Sequence, residues 1–122
     1  MPRPRDSIRA LDHPAPVGTI RCDRGDPTVM WMSGEVDRNL TRQLRGHLTS
    51  AELEAVDVID LGEVTFADSG LLSVVAIVEL ERRGARAPLQ VRGASAMVKV
   101  MLGISNLSPR VQFVDDTVHT GD

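Results

Sequence analysis

Asp60, Glu63 and Asp68 place three carboxylates within nine residues, around the end of an apolar run and the start of a helical one, where α/β sheets concentrate function. Carboxylates so placed could hold Mg²⁺ for a phospho-accepting receiver or a small phosphatase. That chemistry also calls for a strand-end lysine to steady the phosphoryl oxygens. Lys99, the only lysine, falls in a later helical stretch. A small Mg-dependent receiver or phosphatase-like domain therefore stands as an alternative reading of the chain. The same stretch holds a second feature, Ser69, a hydroxyl at the start of a helix.

Other catalytic signatures lack their parts. There is no Gly-rich nucleotide loop, no dinucleotide fingerprint and no Gly-x-Ser-x-Gly elbow. His13, His47 and His119 share no metal-ligand spacing, and His47, on an Arg-rich helix, reads as a solvated side chain. No cofactor or metal is expected. With 122 residues, 42% of them hydrophobic, the chain is long enough for one domain with its own core. The lone Cys22 allows no internal disulfide, which points to a reducing, cytoplasmic setting. A formal charge of -3 provides no basic stripe for nucleic acid. The longest apolar stretch, Leu71 to Val78, carries Ser73 and is too short to span a bilayer, so no membrane passage is expected.

The elements that must position these groups follow from periodicity. Residues 1–16 carry four prolines and no apolar period and are expected to form a disordered tail, followed by a domain over 17–116 and a short tail over 117–122. Two alternating stretches, Gly18 to Arg24 and Thr28 to Gly34, flank Gly25-Asp26-Pro27 and predict an antiparallel hairpin. Asp37 is placed to cap a helix carrying Leu40, Leu44 and Leu48, with Arg38, Arg42 and Arg45 on its other faces. Val56, Val58, Ile59 and Leu61 predict a buried strand, followed by a short loop. Ser69 to Arg83 predicts a helix ended by Gly84, Pro88 to Arg92 a strand, Ser95 to Leu102 a helix closed by Gly103, and Val111 to Val114 a last strand. Asp115-Asp116-Thr117 offers cap chemistry for a further helix. Met30, Met32, Met97 and Met101 read as core filler. The order ββαβαβαβ predicts an α/β fold with a mixed sheet, its first strands antiparallel and the rest parallel with helical crossovers.

The segment Asp60-Leu61-Gly62-Glu63-Val64-Thr65-Phe66-Ala67-Asp68-Ser69-Gly70-Leu71-Leu72 resembles the STAS domain of bacterial anti-sigma factor antagonists, in its strand followed by Phe-x-Asp-Ser. Gly34-Glu35-Val36-Asp37 is similar to that family's Gly-Glu-Leu/Val-Asp, and Met97 to Leu107 with the Val111 strand is similar to its third helix and last strand. The resemblance covers about residues 18–116. It implies a STAS-like mixed sheet with helices packed mainly on one face. It also implies a regulatory module without turnover, which binds an anti-sigma factor with serine kinase activity, controls sigma-factor release and is switched off by phosphorylation. Carried onto this chain, the partner-binding edge is Asp37, Asp68, Ser69, Gly70, Leu71 and Leu72.

The chain departs from the family at the usual phosphoacceptor, which is Gly70 in the ungapped reading. Ser69 is the remaining phosphorylation candidate, with helix capping as its other role. A phosphate there would add about -1.5 to -2 charges at a helix N-terminus. Without an acceptor the module is constitutive, or a non-switching scaffold subunit of a signalling complex. Leu71, with Val74 or Val78, reads equally as core or as part of a docking patch.

Overall fold

A computed structural model of the chain describes residues 18–85, 87–104 and 111–114. The two tails, His13, His119, the region after Ile104 and the Asp115-Asp116-Thr117 segment lie outside them. Five strands, β1 (Thr19–Asp23), β2 (Val29–Val36), β3 (Val58–Ala67), β4 (Leu89–Arg92) and β5 (Val111–Val114), form one sheet in sequential order. β1 and β2 are antiparallel, Thr19 facing Ser33 and Asp23 facing Val29. Every later pairing is parallel. The helices are α1 (Arg38–His47), α2 (Ser50–Glu54), α3 (Ser69–Glu81) and α4 (Ala96–Ile104).

Alternation along the strands sends Met30, Met32, Ile59, Leu61 and Val91 to the face that the helices cover. There they meet Leu40 and Leu44 of α1, Leu53 of α2, Leu71, Val74, Val75 and Val78 of α3, and Val98 and Leu102 of α4, all buried. The expected mixed sheet with helices on one face is therefore present. On the opposite face one register row runs Arg21, Trp31, Asp60, Arg92.

Four elements differ from the expectation. α2 was not expected; it is one and a half turns held by a capping box, Thr49 Oγ1 accepting from Glu52 N at 3.1 Å and Glu52 Oε1 accepting from Thr49 N at 2.8 Å. Leu48 does not continue α1 but caps its C-terminus with an extended backbone. The segment after Leu61 is not a loop: β3 runs on to Ala67 because β2 accompanies it, Gly34 facing Val64 and Val36 facing Ala67. Gly103 lies inside α4 rather than closing it. Met30 and Met32 are core residues, but Met97 is 70% exposed and fills no core.

Candidate functional site

The extra length of β3 separates the carboxylates. Asp60 and Asp68 are eight residues apart along extended chain, roughly 25 Å at the rise of a strand. Asp60 is buried on the open face, where its Oδ2 accepts from Arg92 Nε at 2.6 Å and its Oδ1 accepts from Gly62 N at 2.8 Å. Glu63 is exposed, and Asp68 caps α3. Among the described residues no three His, Cys, Asp or Glu side chains are grouped to hold a metal ion. The three carboxylates thus do not converge, and Asp60 is committed to a structural ion pair.

The second candidate group does converge. β2 and β3 run in parallel and end side by side, so the helices that follow them start side by side. Asp37 follows β2 and takes an extended backbone; its Oδ1 accepts from Leu40 N at 3.1 Å. Asp68 follows β3 in the same way, its Oδ1 accepting from Gly70 N at 2.7 Å. Asp68 N donates to Val36 O at 3.2 Å, extending the sheet by one bond into the cap region. Each aspartate satisfies donors that helix geometry leaves unpaired and places a negative charge at a helix N-terminus. Their capping roles, and the juxtaposition of Asp37 with the Asp68–Ser69 turn, match the expectation.

Gly70 is the residue around which the two helix starts close. A β-carbon at this position would lie 2.6 Å from the Asp37 carbonyl oxygen and 2.9 Å from Arg38 N, a separation that no side chain tolerates without backbone movement. Thr41 ties the same contact from α1, its Oγ1 placed to donate to Gly70 O at 3.2 Å and Asp37 O at 3.3 Å. The position thus has no hydroxyl and no room for one. Thr41 was not singled out by sequence; its signal is tertiary, a hydroxyl one position after the core residue Leu40, turned toward a neighbouring helix.

Ser69 is exposed as the first residue of α3, and its carbonyl accepts from Ser73 Oγ at 3.4 Å. Leu72 is half-buried. Leu71, Val74 and Val78, considered as a docking patch, are each 0% exposed and belong to the core. Leu71 and the buried Gly70 therefore present no surface to a partner, and the accessible edge is Asp37, Asp68, Ser69 and Leu72. His47 is exposed, away from this edge at the far end of α1.

The family profile described as Mlab, STAS domain, matches residues 23–113. The chain belongs to the STAS family. Its fold is similar to the structure of the anti-sigma factor antagonist SpoIIAA in its unphosphorylated form, at 18% identity and a TM-score of 0.62, covering 84% of this chain and 93% of that one. The phosphorylated form of the Bacillus cell fate determinant SpoIIAA is similar at 16% identity and a TM-score of 0.57, covering 84% of this chain and 97% of that one. An uncharacterized DUF3478 protein with a SpoIIAA-like fold from Shewanella loihica PV-4 is similar at 15% identity and a TM-score of 0.50, over 84% of this chain and 88% of that one. No curated protein matches by sequence. No helix among the described residues is long and apolar enough to cross a membrane.

Proposed function

We propose that this STAS domain is an anti-sigma factor antagonist-like module that binds an anti-sigma factor with serine kinase activity in the cytoplasm and thereby controls sigma-factor release. The single observation that carries the reading is the convergence of Asp37, Asp68 and Ser69 at the paired starts of α1 and α3. That arrangement offers a partner two capped helix ends, one exposed hydroxyl and the half-buried Leu72. Binding there needs no turnover, and the proposed unit of function is the domain over residues 17–116.

The closure at Gly70 supports a constitutive module. The position that carries the acceptor hydroxyl in the resembling family is packed backbone to backbone against Asp37. Ser69 is exposed and is the one hydroxyl of this edge that a kinase could reach without separating the helices. The same observation favours a second reading, a non-switching scaffold subunit of a signalling complex.

The test is calorimetric titration of the purified chain with the kinase-type anti-sigma factors encoded in its own genome. One of them binds, and Asp37→Asn, which keeps the cap oxygen while removing the charge, weakens that complex. Absence of binding by every such kinase would leave the scaffold reading.

A further inference from the structure

Two breaks in the register of β3 decide what it shows on the face that no helix covers. β2 alternates regularly, with Met30, Met32 and Val36 in the core. β3 does not: Leu61, Val64 and Ala67 reach the core at steps of three, because its pairing with β2 slips between Trp31 and Ser33 and again between Gly34 and Glu35. After an inward Leu61 and an inward Val64, plain alternation would turn Glu63 and Phe66 inward as well. The slips hold both on the open face instead, Glu63 opposite Ser33 and Phe66 opposite Glu35, the kind of re-aiming that bulges provide. Phe66 is left 53% exposed.

An exposed ring beside two carboxylates has a defined chemistry. Neither the Glu35 nor the Glu63 carboxylate has a hydrogen-bond or ion-pair partner among the described residues. The arginines of the same face, Arg21 and Arg92, are held by Asp23 at 3.2 Å and Asp60 at 2.6 Å and lie over Trp31. At the strand ends Asp37 and Asp68 add two more carboxylates against the exposed Arg38, with Arg42 one turn further along α1, so the surroundings of Phe66 carry an excess of negative charge. A basic side chain satisfies all of these groups at once: its charge is attracted by the ring face and by the carboxylates, and its apolar stem covers the ring. An acidic segment would meet repulsion there.

We propose that Phe66, Glu35 and Glu63 anchor the partner at this edge by taking an arginine or lysine side chain of the partner's docking segment. Phe66 stands two residues before Asp68, about 7 Å along the strand, so a segment that reaches Ser69 from the open face passes over the ring. The proposal rests on the reading of a kinase-type anti-sigma factor at Asp37, Asp68 and Ser69, and adds the chemistry by which that partner is recognised. The other exposed apolar helix face, Met97 and Val100 of α4, has Lys99 as the charge of its helix and offers a basic segment no such pairing.

Calorimetric titration with the kinase-type anti-sigma factors encoded in the same genome, at two salt concentrations, tests this, with circular dichroism confirming that each variant is folded. The wild type binds one of them. F66A and E35Q/E63Q each weaken that complex by about tenfold or more, F66W retains it, and M97A leaves it unchanged. The affinity of E35Q/E63Q also falls less steeply with salt than that of the wild type. A complex that F66A or E35Q/E63Q forms as tightly as the wild type, or an E35Q/E63Q complex with the wild-type salt dependence, would overturn the anchor and leave the partner reading standing. A wild-type chain that binds none of these factors would overturn both.

Discussion

The Asp37 carbonyl lies against the α-carbon of Gly70 so closely that a β-carbon there would sit 2.6 Å from its oxygen. This contact welds the starts of α1 and α3, and it decides whether the helix-start edge can be modified at its central position.

A side chain at Gly70 must push the two helix starts apart. Gly70→Ala gains about 1 kcal/mol in intrinsic helix propensity, but overpacking of this kind costs roughly 1–3 kcal/mol, and the atoms it would meet, in Asp37 and Arg38, are backbone atoms that cannot swing away. Gly70→Ser is therefore expected to lower the urea midpoint, and Gly70→Asp is no clean mimic of a phosphate. A midpoint at or above that of the wild type would show that the contact is looser than described.

Removing either cap shortens a helix at the site. Asp37→Ala and Asp68→Ala are each expected to cost about 1 kcal/mol, and the corresponding Asn variants much less, because Asn also accepts from the orphan N–H groups. Chemical denaturation of the four variants measures this. Equal losses for Ala and Asn would assign the effect to charge instead of capping.

The Asp60–Arg92 pair is a structural bond. Arg92→Ala removes the guanidinium from a carboxylate that is 7% exposed, leaving the Gly62 N–H as its partner among the described residues, and should cost roughly 1.5–3 kcal/mol. The same substitution removes one of the two guanidinium groups stacked on the Trp31 ring, at 5.2 Å for Arg92 and 5.5 Å for Arg21, so indole fluorescence reports the change directly. An unchanged spectrum and midpoint would contradict the geometry.

Glu52 titrates below its ordinary value of 4.5, chiefly because the Thr49 backbone N–H donates to its carboxylate. The folded chain holds the proton less tightly than the unfolded chain. The stabilising effect of the charge is thus present above about pH 4.5 and is lost as the pH falls through the lower folded value. A carboxyl-carbon NMR titration should place its midpoint under 4.5. Cys22 moves the other way, its thiol raised above 9.0 mainly by burial and secondarily by the Glu52 charge. It should react with a thiol reagent more slowly than free cysteine at mildly alkaline pH.

Most of the architecture was legible because its signals are local. Asp37 and Asp68 stand directly before helical runs, the hairpin is marked by Gly25-Asp26-Pro27, and Val111 to Val114 is an apolar run of strand length. What escaped depends on partners distant in the chain. Gly62 to Ala67 holds as strand only because β2 lies beside it, and Gly70 reveals its tightness only once Asp37 is placed against it. Asp60 looked like a metal ligand because Arg92, its partner, is 32 residues away. The Thr49-x-x-Glu52 box was visible in the residues, but the short α2 it starts has no apolar period to support it.

The central claim is a partner-binding STAS edge whose usual acceptor position is closed. The most direct test incubates the chain with the kinase-type anti-sigma factor proposed as its partner and ATP, followed by intact-mass spectrometry, peptide mapping and a binding titration on the same sample. The account predicts an unmodified chain that binds equally well before and after ATP. Stoichiometric phosphate on Ser69 together with loss of the complex would contradict it.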